Sequence, residues 1–390
     1  MNKKLLLIAG TRPNFVKLAP LYHRLRSEAP DIETRICHTG QHFDFSMSDI
    51  FWQNLELPNP DFQLNIQGKD VPDTIGKTIL GINDIIRQHT FDIVVVFGDV
   101  NATVAGAVTG AQSRIPVMHV EAGLRSFDRE MPEEINRVIT DHVSDYLMVS
   151  EPNGLINLKR EGFPEAKYRM VGNIMIECLL RTRKHWKDIT LEKETAAFYD
   201  KQPVVATFHR PENVDDLAAL RRVTEILSGL AATQPVLFPV HPRTKARLEQ
   251  SGLMAGLAGQ PNLLMTQPLG YFEFLKLVSN ARLVITDSGG IQEETSFLNI
   301  PCVTFRKNTE RPVTIEMGTN KLMSIYDENY LKEIEVHADH IRQREYAPIP
   351  LWDDQVSARI VQAIREALYP KNNKAFGEKD LHRHDPAHKL

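Results

Sequence analysis

The sequence predicts an α/β protein of two doubly wound, Rossmann-like parallel domains facing each other across a cleft, and three observations carry that prediction. Short apolar runs alternate with helix-length amphipathic stretches along most of the chain. The runs are continuous rather than alternating, rich in Val, Ile and Leu, and bounded by Gly, Pro or Asp, as strands covered on both faces are. They also fall into two sets of about five, separated by a long polar helical stretch over residues 174–199. Strands that alternate with helices read as parallel βα units.

The first set of strands is expected over residues 4–9, 33–38, 92–97, 116–120 and 145–149. The second is expected over 204–208, 236–240, 262–265, 283–286 and 302–305. The break between the sets lies near Gly172 and Asn173, giving a first domain over residues 1–172 and a second over 173–350. Residues 353–368 (DDQVSARIVQAIREAL) read as an amphipathic helix, and the polar residues 370–390 read as a flexible tail. Three histidines of that tail (His382, His384, His388) have metal-ligand chemistry, but a solvated tail is the better account of them. Two opposed doubly wound domains place their ligands beyond the carboxyl ends of the strands.

Composition excludes several classes. At 390 residues the chain is long enough to bury a large core without staples. Its 46 Lys and Arg against 50 Asp and Glu leave a net charge of −4, with no basic excess for nucleic acid. Three dispersed cysteines (Cys37, Cys178, Cys302) exclude a disulfide framework or a Cys-rich zinc site and fit a reducing compartment. The apolar run at residues 5–9 is too short for a signal peptide or a membrane span, so a cytoplasmic protein is expected.

The residues that follow the strands are the unusual ones. After the first strand, Gly10-Thr11-Arg12-Pro13 turns into a helix, with Arg12 and Lys17 near its start. A helix N-terminus flanked by cations suits an anion, although an ordinary turn with two solvated cations looks the same. Asp99 follows the strand at 92–97, Glu121 follows the one at 116–120, and Glu133 and Glu134 open a helix behind Pro132. Asp99 can be a helix N-cap and one of the two glutamates can serve the helix dipole. Glutamate is a poor cap, so Glu121 is harder to explain that way, and clustered carboxylates are the usual means of building acid/base pairs.

In the second half, His209-Arg210 and His241-Pro242-Arg243 each follow a strand as an anion-facing pair would. The strongest local signal is Thr286-Asp287-Ser288-Gly289-Gly290, a strand that runs into a Gly-Gly helix start where backbone N–H groups can meet phosphate. Glu294 lies four residues after Gly290 on the same helical face, and a carboxylate there can accept both hydroxyls of a ribose diol. No G-x-G-x-x-G is present for a nicotinamide cofactor. Gly76-Lys77-Thr78 lacks the earlier glycine and preceding strand of a P-loop, and no H-E-x-x-H, CxxC or G-x-S-x-G occurs.

Taken together and in order, GTRPNFVKLAP, TGQH (Thr39–His42), FGDVNAT, HVEAGLRS, MPEEINR, FHRPEN, PVHPR, TDSGGIQEE and TERP resemble the non-hydrolysing UDP-N-acetylglucosamine 2-epimerases over residues 4–320. The resemblance implies a fold of the glycosyltransferase-B type, with the C-terminal helix (351–369) crossing back to the first domain. It implies Asp99, Glu121 and Glu133 as catalytic carboxylates, with His209 at the diphosphate. Ser288, Gly289 and Gly290 would hold the pyrophosphate, Glu294 the ribose and Arg12 the nucleotide side, while Lys17, His42, Arg137 and His241 would line the cleft. It also implies a homodimer that acts on a UDP-sugar for polysaccharide biosynthesis, with no cofactor, metal, membrane or nucleic-acid partner. Asn14, the loop from Ser126 to Met131, and Val313 depart from the enterobacterial-type members. They mark a subgroup that also resembles epimerases of UDP-2,3-diacetamido sugars. A glycosyltransferase of the same fold, a UDP-sugar sensor and a hydrolase remain rival readings.

Overall fold

In a computed structural model, residues 2–40, 52–345 and 347–370 are described, and they form two compact units. The first comprises the described residues up to Arg181 and those from Pro350 onward, and the second those from Thr182 to Ile349.

The first unit is a seven-stranded, all-parallel sheet. Its strands are β1 (Lys3–Ala9), β2 (Ile32–His38), β3 (Phe62–Gln63), β4 (Ile93–Phe97), β5 (Val117–Ala122), β6 (Tyr146–Val149) and β7 (Tyr168–Met170). Their spatial order is β3-β2-β1-β4-β5-β6-β7, so the direction of winding reverses between β1 and β4. All five residues of β4 are fully buried, which is why its sequence is an unbroken apolar run.

The second unit repeats the plan with β8 (Val204–Thr207), β9 (Val236–Pro239), β10 (Leu263–Thr266), β11 (Leu283–Thr286), β12 (Cys302–Phe305) and β13 (Asn320–Met323). Its order is β10-β9-β8-β11-β12-β13, again reversing at the first strand of the unit. Val204, Ala206 and Phe208 enter one apolar cluster and Val205, Leu237 and Val284 another. Alternate residues of one strand therefore feed opposite faces, and both faces are covered.

Ten strands were expected, and each lies where the sequence placed it to within a residue or two. Three more are present. Phe62–Gln63, Tyr168–Met170 and Asn320–Met323 are short edge strands carrying half-buried or polar residues, so no continuous apolar run announces them. The stretch 174–199 is three helices, Ile174–Arg181, Arg183–Asp188 and Lys193–Tyr199. Gly76, Lys77 and Thr78 lie inside helix Val71–Gln88, capped by Asp70, where Lys77 pairs with Asp73; no phosphate loop exists there. The division between units falls after Arg181 rather than after Gly172, because helix Ile174–Arg181 packs on helix Arg12–Glu28 of the first sheet. Residues 371–390, with His382, His384 and His388, lie outside the described residues. Among the described residues no helix is long and apolar enough to cross a membrane. The three cysteines are buried; burial pushes the Cys37 thiol up to about 12 and that of Cys302 to about 11.

Helix Val356–Leu368 returns to the first unit. It packs against Arg12–Glu28 and Ile174–Arg181, burying Val356, Ile360, Val361 and Ile364. A buried polar contact fixes its start: Glu177 accepts both the Ser357 N–H and the Ser357 hydroxyl, and Arg24 donates to the same hydroxyl at 3.2 Å. Burial raises the Glu177 carboxyl above its ordinary value despite these donors. Ser357→Ala leaves that buried carboxylate short of one donor and should cost about 1–3 kcal/mol, read as a lower urea midpoint; an unchanged midpoint would mean that Arg24 and the Ser357 N–H alone hold Glu177.

Candidate active site

Ligands of an open parallel sheet bind where the winding reverses, beyond the strand carboxyl ends. In the first unit that point lies between Gly10-Thr11 after β1 and Gly98-Asp99 after β4. A cavity of about 500 Å³ opens there, lined in part by Gly10, Thr39, Gly68, Asp99, Asn136 and Glu133.

Asp99 is not a helix cap. The following helix, Asn101–Gln112, has Val100 at its N-cap and no capping side chain. The Asp99 carboxylate instead accepts from Arg137 Nη2 at 2.8 Å and Nε at 3.0 Å, and its carbonyl accepts from Asn136 at 2.9 Å. Arg137, expected to line the site, is itself buried, with its other edge on Glu134. It stands behind Asp99 and orients it.

The two adjacent glutamates have separate fates. Glu134 is buried and accepts from the Ser126 and Phe127 N–H groups at 2.9 Å each, closing the loop before the helix. Glu133 is exposed and faces the cavity.

Glu121 has φ +77°, deep in the left-handed region, at a bulge where the pairing of β5 with β6 skips from Val120 to Ala122. A left-handed non-glycine residue costs of order 1–3 kcal/mol and persists only where its surroundings over-determine it, most often at functional sites. Its carboxylate meets the buried Lys17 ammonium. Lys17 in turn lies against Gly98, at φ +63°, where an added Cβ would sit 2.6 Å from Lys17 Nζ. Asn14 joins the two strand ends, accepting from Gly10 N–H at 3.2 Å and donating to the Phe97 carbonyl at 2.9 Å. Arg12 is exposed at the first helical residue. His42 lies outside the described residues.

In the second unit the winding reverses between β8 and β11, where Thr207 and Thr286 hydroxyls meet at 2.7 Å. Asp287, the residue before Ser288, binds the turn that carries His209. Its carboxylate accepts from the N–H groups of His209 and Arg210 at 3.0 Å each, from Asn213 at 3.2 Å and from His209 Nδ1 at 2.9 Å. Burial alone would raise the Asp287 carboxyl, but these donors, His209 foremost, hold it below the usual carboxylate range. With Nδ1 committed to Asp287, Nε2 is the His209 nitrogen that can meet a ligand. His241 packs 5.4 Å from the His209 ring and caps helix Pro242–Gln250, its Nδ1 accepting from Arg243 N–H. Burial, then the His209 charge, pulls its pKa below the ordinary imidazole value, in keeping with a neutral ring.

Ser288 is the N-cap of helix Gly289–Leu298. The two glycines differ. A Cβ on Gly289 would lie 2.6 Å from Glu310 Oε1, so the buried Glu310 carboxylate, held by Arg306 at 2.9 Å, would have to shift, whereas a Cβ on Gly290 would meet open space. Gly290 is thus small where nothing in the protein needs it to be, at a helix N-terminus suited to an anion. Glu293 turns inward to Arg311, and Glu294 accepts from the Tyr271 hydroxyl at 2.9 Å. Burial pushes the Glu294 carboxyl up to about 7 against that hydrogen bond. Among the described residues no group of three His, Cys, Asp or Glu side chains is arranged to hold a metal ion.

Sequence reasoning assigned no role to Asp287 or Tyr271. An acid lodged between a strand and a Gly-Gly turn was a legible signal for the first; Tyr271 sits twenty-three residues upstream of its partner and carries none.

Two Rossmann-like units, one with an acidic rim and the other with a phosphate-suited helix start, are a fold of the glycosyltransferase-B type. The sequence model of the UDP-N-acetylglucosamine 2-epimerase family matches residues 24–365, and the chain belongs to that family. It is 39% identical to a UDP-N-acetylglucosamine 2-epimerase of Methanocaldococcus jannaschii, across 94% of this chain and all of that one. It is also 39% identical to a UDP-2,3-diacetamido-2,3-dideoxy-D-glucuronate 2-epimerase of Pseudomonas aeruginosa, across 82% of this chain and 88% of the other. The crystal structure of the M. jannaschii UDP-GlcNAc 2-epimerase with UDP-GlcNAc and UDP superposes with a TM-score of 0.81 at 38% identity, covering 93% and 99% of the two chains.

The glycine contrast is testable by thermal unfolding. Gly289→Ala should destabilise by about 1–3 kcal/mol through overpacking against Glu310, while Gly290→Ala should leave the melting temperature unchanged or slightly raised. Equal losses in both would contradict the difference in their surroundings.

Proposed function

We propose that the protein reversibly inverts C2 of a UDP-linked 2-acetamido sugar, interconverting UDP-N-acetylglucosamine and UDP-N-acetylmannosamine by elimination and re-addition of UDP. The supporting observation is that a chain of this family has Asp99 and Glu133 on one cavity wall, with Glu121 held in a left-handed bulge on the neighbouring strand.

The C2 proton has no adjacent carbonyl and is not acidic. Breaking the C1–O bond expels UDP and places positive charge at C1, and a carboxylate can then take the C2 proton, leaving a C1=C2 glycal. Proton delivery to C2 from the opposite face, with return of the UDP oxygen to C1, gives the epimer. Two faces require two proton-handling groups, which is the chemical reason for several carboxylates. Asp99, Glu121 and Glu133 serve this purpose. The Ser288-Gly289-Gly290 helix start and His209 stabilise the departing diphosphate. Glu294 accepts the ribose hydroxyls, and Arg12 lies on the nucleotide side. On the same reading the enzyme works as a cytoplasmic homodimer that feeds polysaccharide biosynthesis.

A second substrate has a specific observation behind it: the UDP-2,3-diacetamido-2,3-dideoxy-D-glucuronate 2-epimerase shares the same 39% identity as the M. jannaschii enzyme, over 82% rather than 94% of this chain. Turnover of each sugar nucleotide in deuterated water separates the two. The product should carry deuterium at C2, and unlabelled epimer would exclude the route. Asp99→Asn, Glu121→Gln and Glu133→Gln should each lower kcat by about 10²–10⁴-fold while UDP still binds, and full activity in all three would contradict their assignment.

Glu294 gives a pH dependence. Ribose hydroxyls donate to the ionised carboxylate, so binding favours the deprotonated form. UDP affinity should therefore rise as pH climbs towards about 7 and level off above it. UDP itself titrates in this range, so calorimetry should compare wild type with Glu294→Gln; identical slopes would separate Glu294 from the ribose.

A further inference from the structure

Helix Pro132–Val143 presents Glu133, Arg137 and Asp141 at successive four-residue steps, which places them on one face. Glu133 faces the cavity and Arg137 holds Asp99. Asp141 is fully buried, and its oxygens serve the segment around Glu121. Oδ1 lies 2.7 Å from His119 Nδ1, while Oδ2 accepts from Arg125 Nη1 at 2.7 Å and from the Gly123 N–H at 3.1 Å. His119, also fully buried, spans from Asp141 to the Gly98 carbonyl at 2.7 Å, next to Asp99. The far edge of Arg125 is taken by Glu161 at 2.8 and 2.7 Å. Asp141 thus touches residues two before, two after and four after Glu121, and through His119 it reaches the turn that carries Asp99.

We propose that Asp141 is a positioning residue for epimerisation: through His119, Gly123 and Arg125 it holds Glu121 in its left-handed bulge and ties that bulge to the Asp99 turn. One helix then sets all three carboxylates, presenting Glu133 itself, gripping Asp99 through Arg137 and fixing Glu121 through Asp141. The inference rests on the epimerase reading and adds to it a residue outside the cavity lining. Asp141 keeps its negative charge inside the core because the His119 and Arg125 donors outweigh the cost of burial.

The test uses the full chain, with Asp141→Asn and His119→Gln compared with wild type on UDP-N-acetylglucosamine and the 2,3-diacetamido sugar nucleotide, with UDP affinity measured by calorimetry. Each variant keeps the size of its side chain and loses part of the network. If Glu121 is mispositioned, kcat should fall by about 100-fold in Asp141→Asn and by less in His119→Gln, with KM and UDP affinity within about threefold of wild type. An unchanged kcat, or a loss of kcat matched by an equal loss of UDP affinity, overturns the proposal, the latter pointing to general unfolding. If Asp141→Asn does not fold, His119→Gln decides by the same criteria. A wild type that inverts neither sugar sinks the epimerase reading and this inference with it, whereas an active wild type with equally active variants sinks the inference alone.

Discussion

Each half of this protein depends on one constraint, the reversal of winding in a parallel sheet. Helices leaving β1 and β4, or β8 and β11, pass to opposite faces, so the strand ends between them are left uncovered. Backbone groups and polar side chains can face solvent or ligand there without interrupting a buried core. The residues with unusual surroundings follow from that geometry: Asn14, Gly98 and Asp99 in the first unit, and His209, Asp287 and Ser288 in the second.

The same rim explains how neighbouring acids come to differ. Successive helical residues point about 100° apart, so two adjacent glutamates cannot share an environment. Glu134 closes the Ser126–Phe127 turn while Glu133 faces the cavity. Glu293 is neutralised by Arg311, while Glu294 accepts from a tyrosine hydroxyl and burial drives it towards protonation. In each pair one carboxylate holds the fold together and the other is the one proposed to meet the ligand. The buried Lys17–Glu121 pair combines the two functions, because a cation that neutralises the acid also fixes the turn on which it sits.

Much of the architecture could be read directly. Strands buried on both faces are continuous apolar runs, so ten of them stood out, while the edge strands Phe62–Gln63, Tyr168–Met170 and Asn320–Met323 did not, since an edge needs few buried residues. Asp99, Glu121 and Ser288 were marked by chain position, just after a strand or at a helix start, and Glu294 by its four-residue spacing from Gly290. Arg137 and Lys17 were visible as charges, but their burial was not, because sequence shows that a cation is present and not which acid lies beyond it. Asp287, Tyr271 and Asp141 act across distant stretches of chain, and no local pattern reports such a pairing.

By itself the sequence determined the parallel αβ plan, the positions of ten strand ends and the kinds of side chain found there, because those depend on local periodicity and on turn chemistry. Tertiary structure decided which acids are structural and which are available, which glycine lies against a buried carboxylate, and that Glu121 is held in a left-handed bulge. Those properties depend on burial and on partners remote in the chain, and they exist only once the sheet has brought the strand ends together.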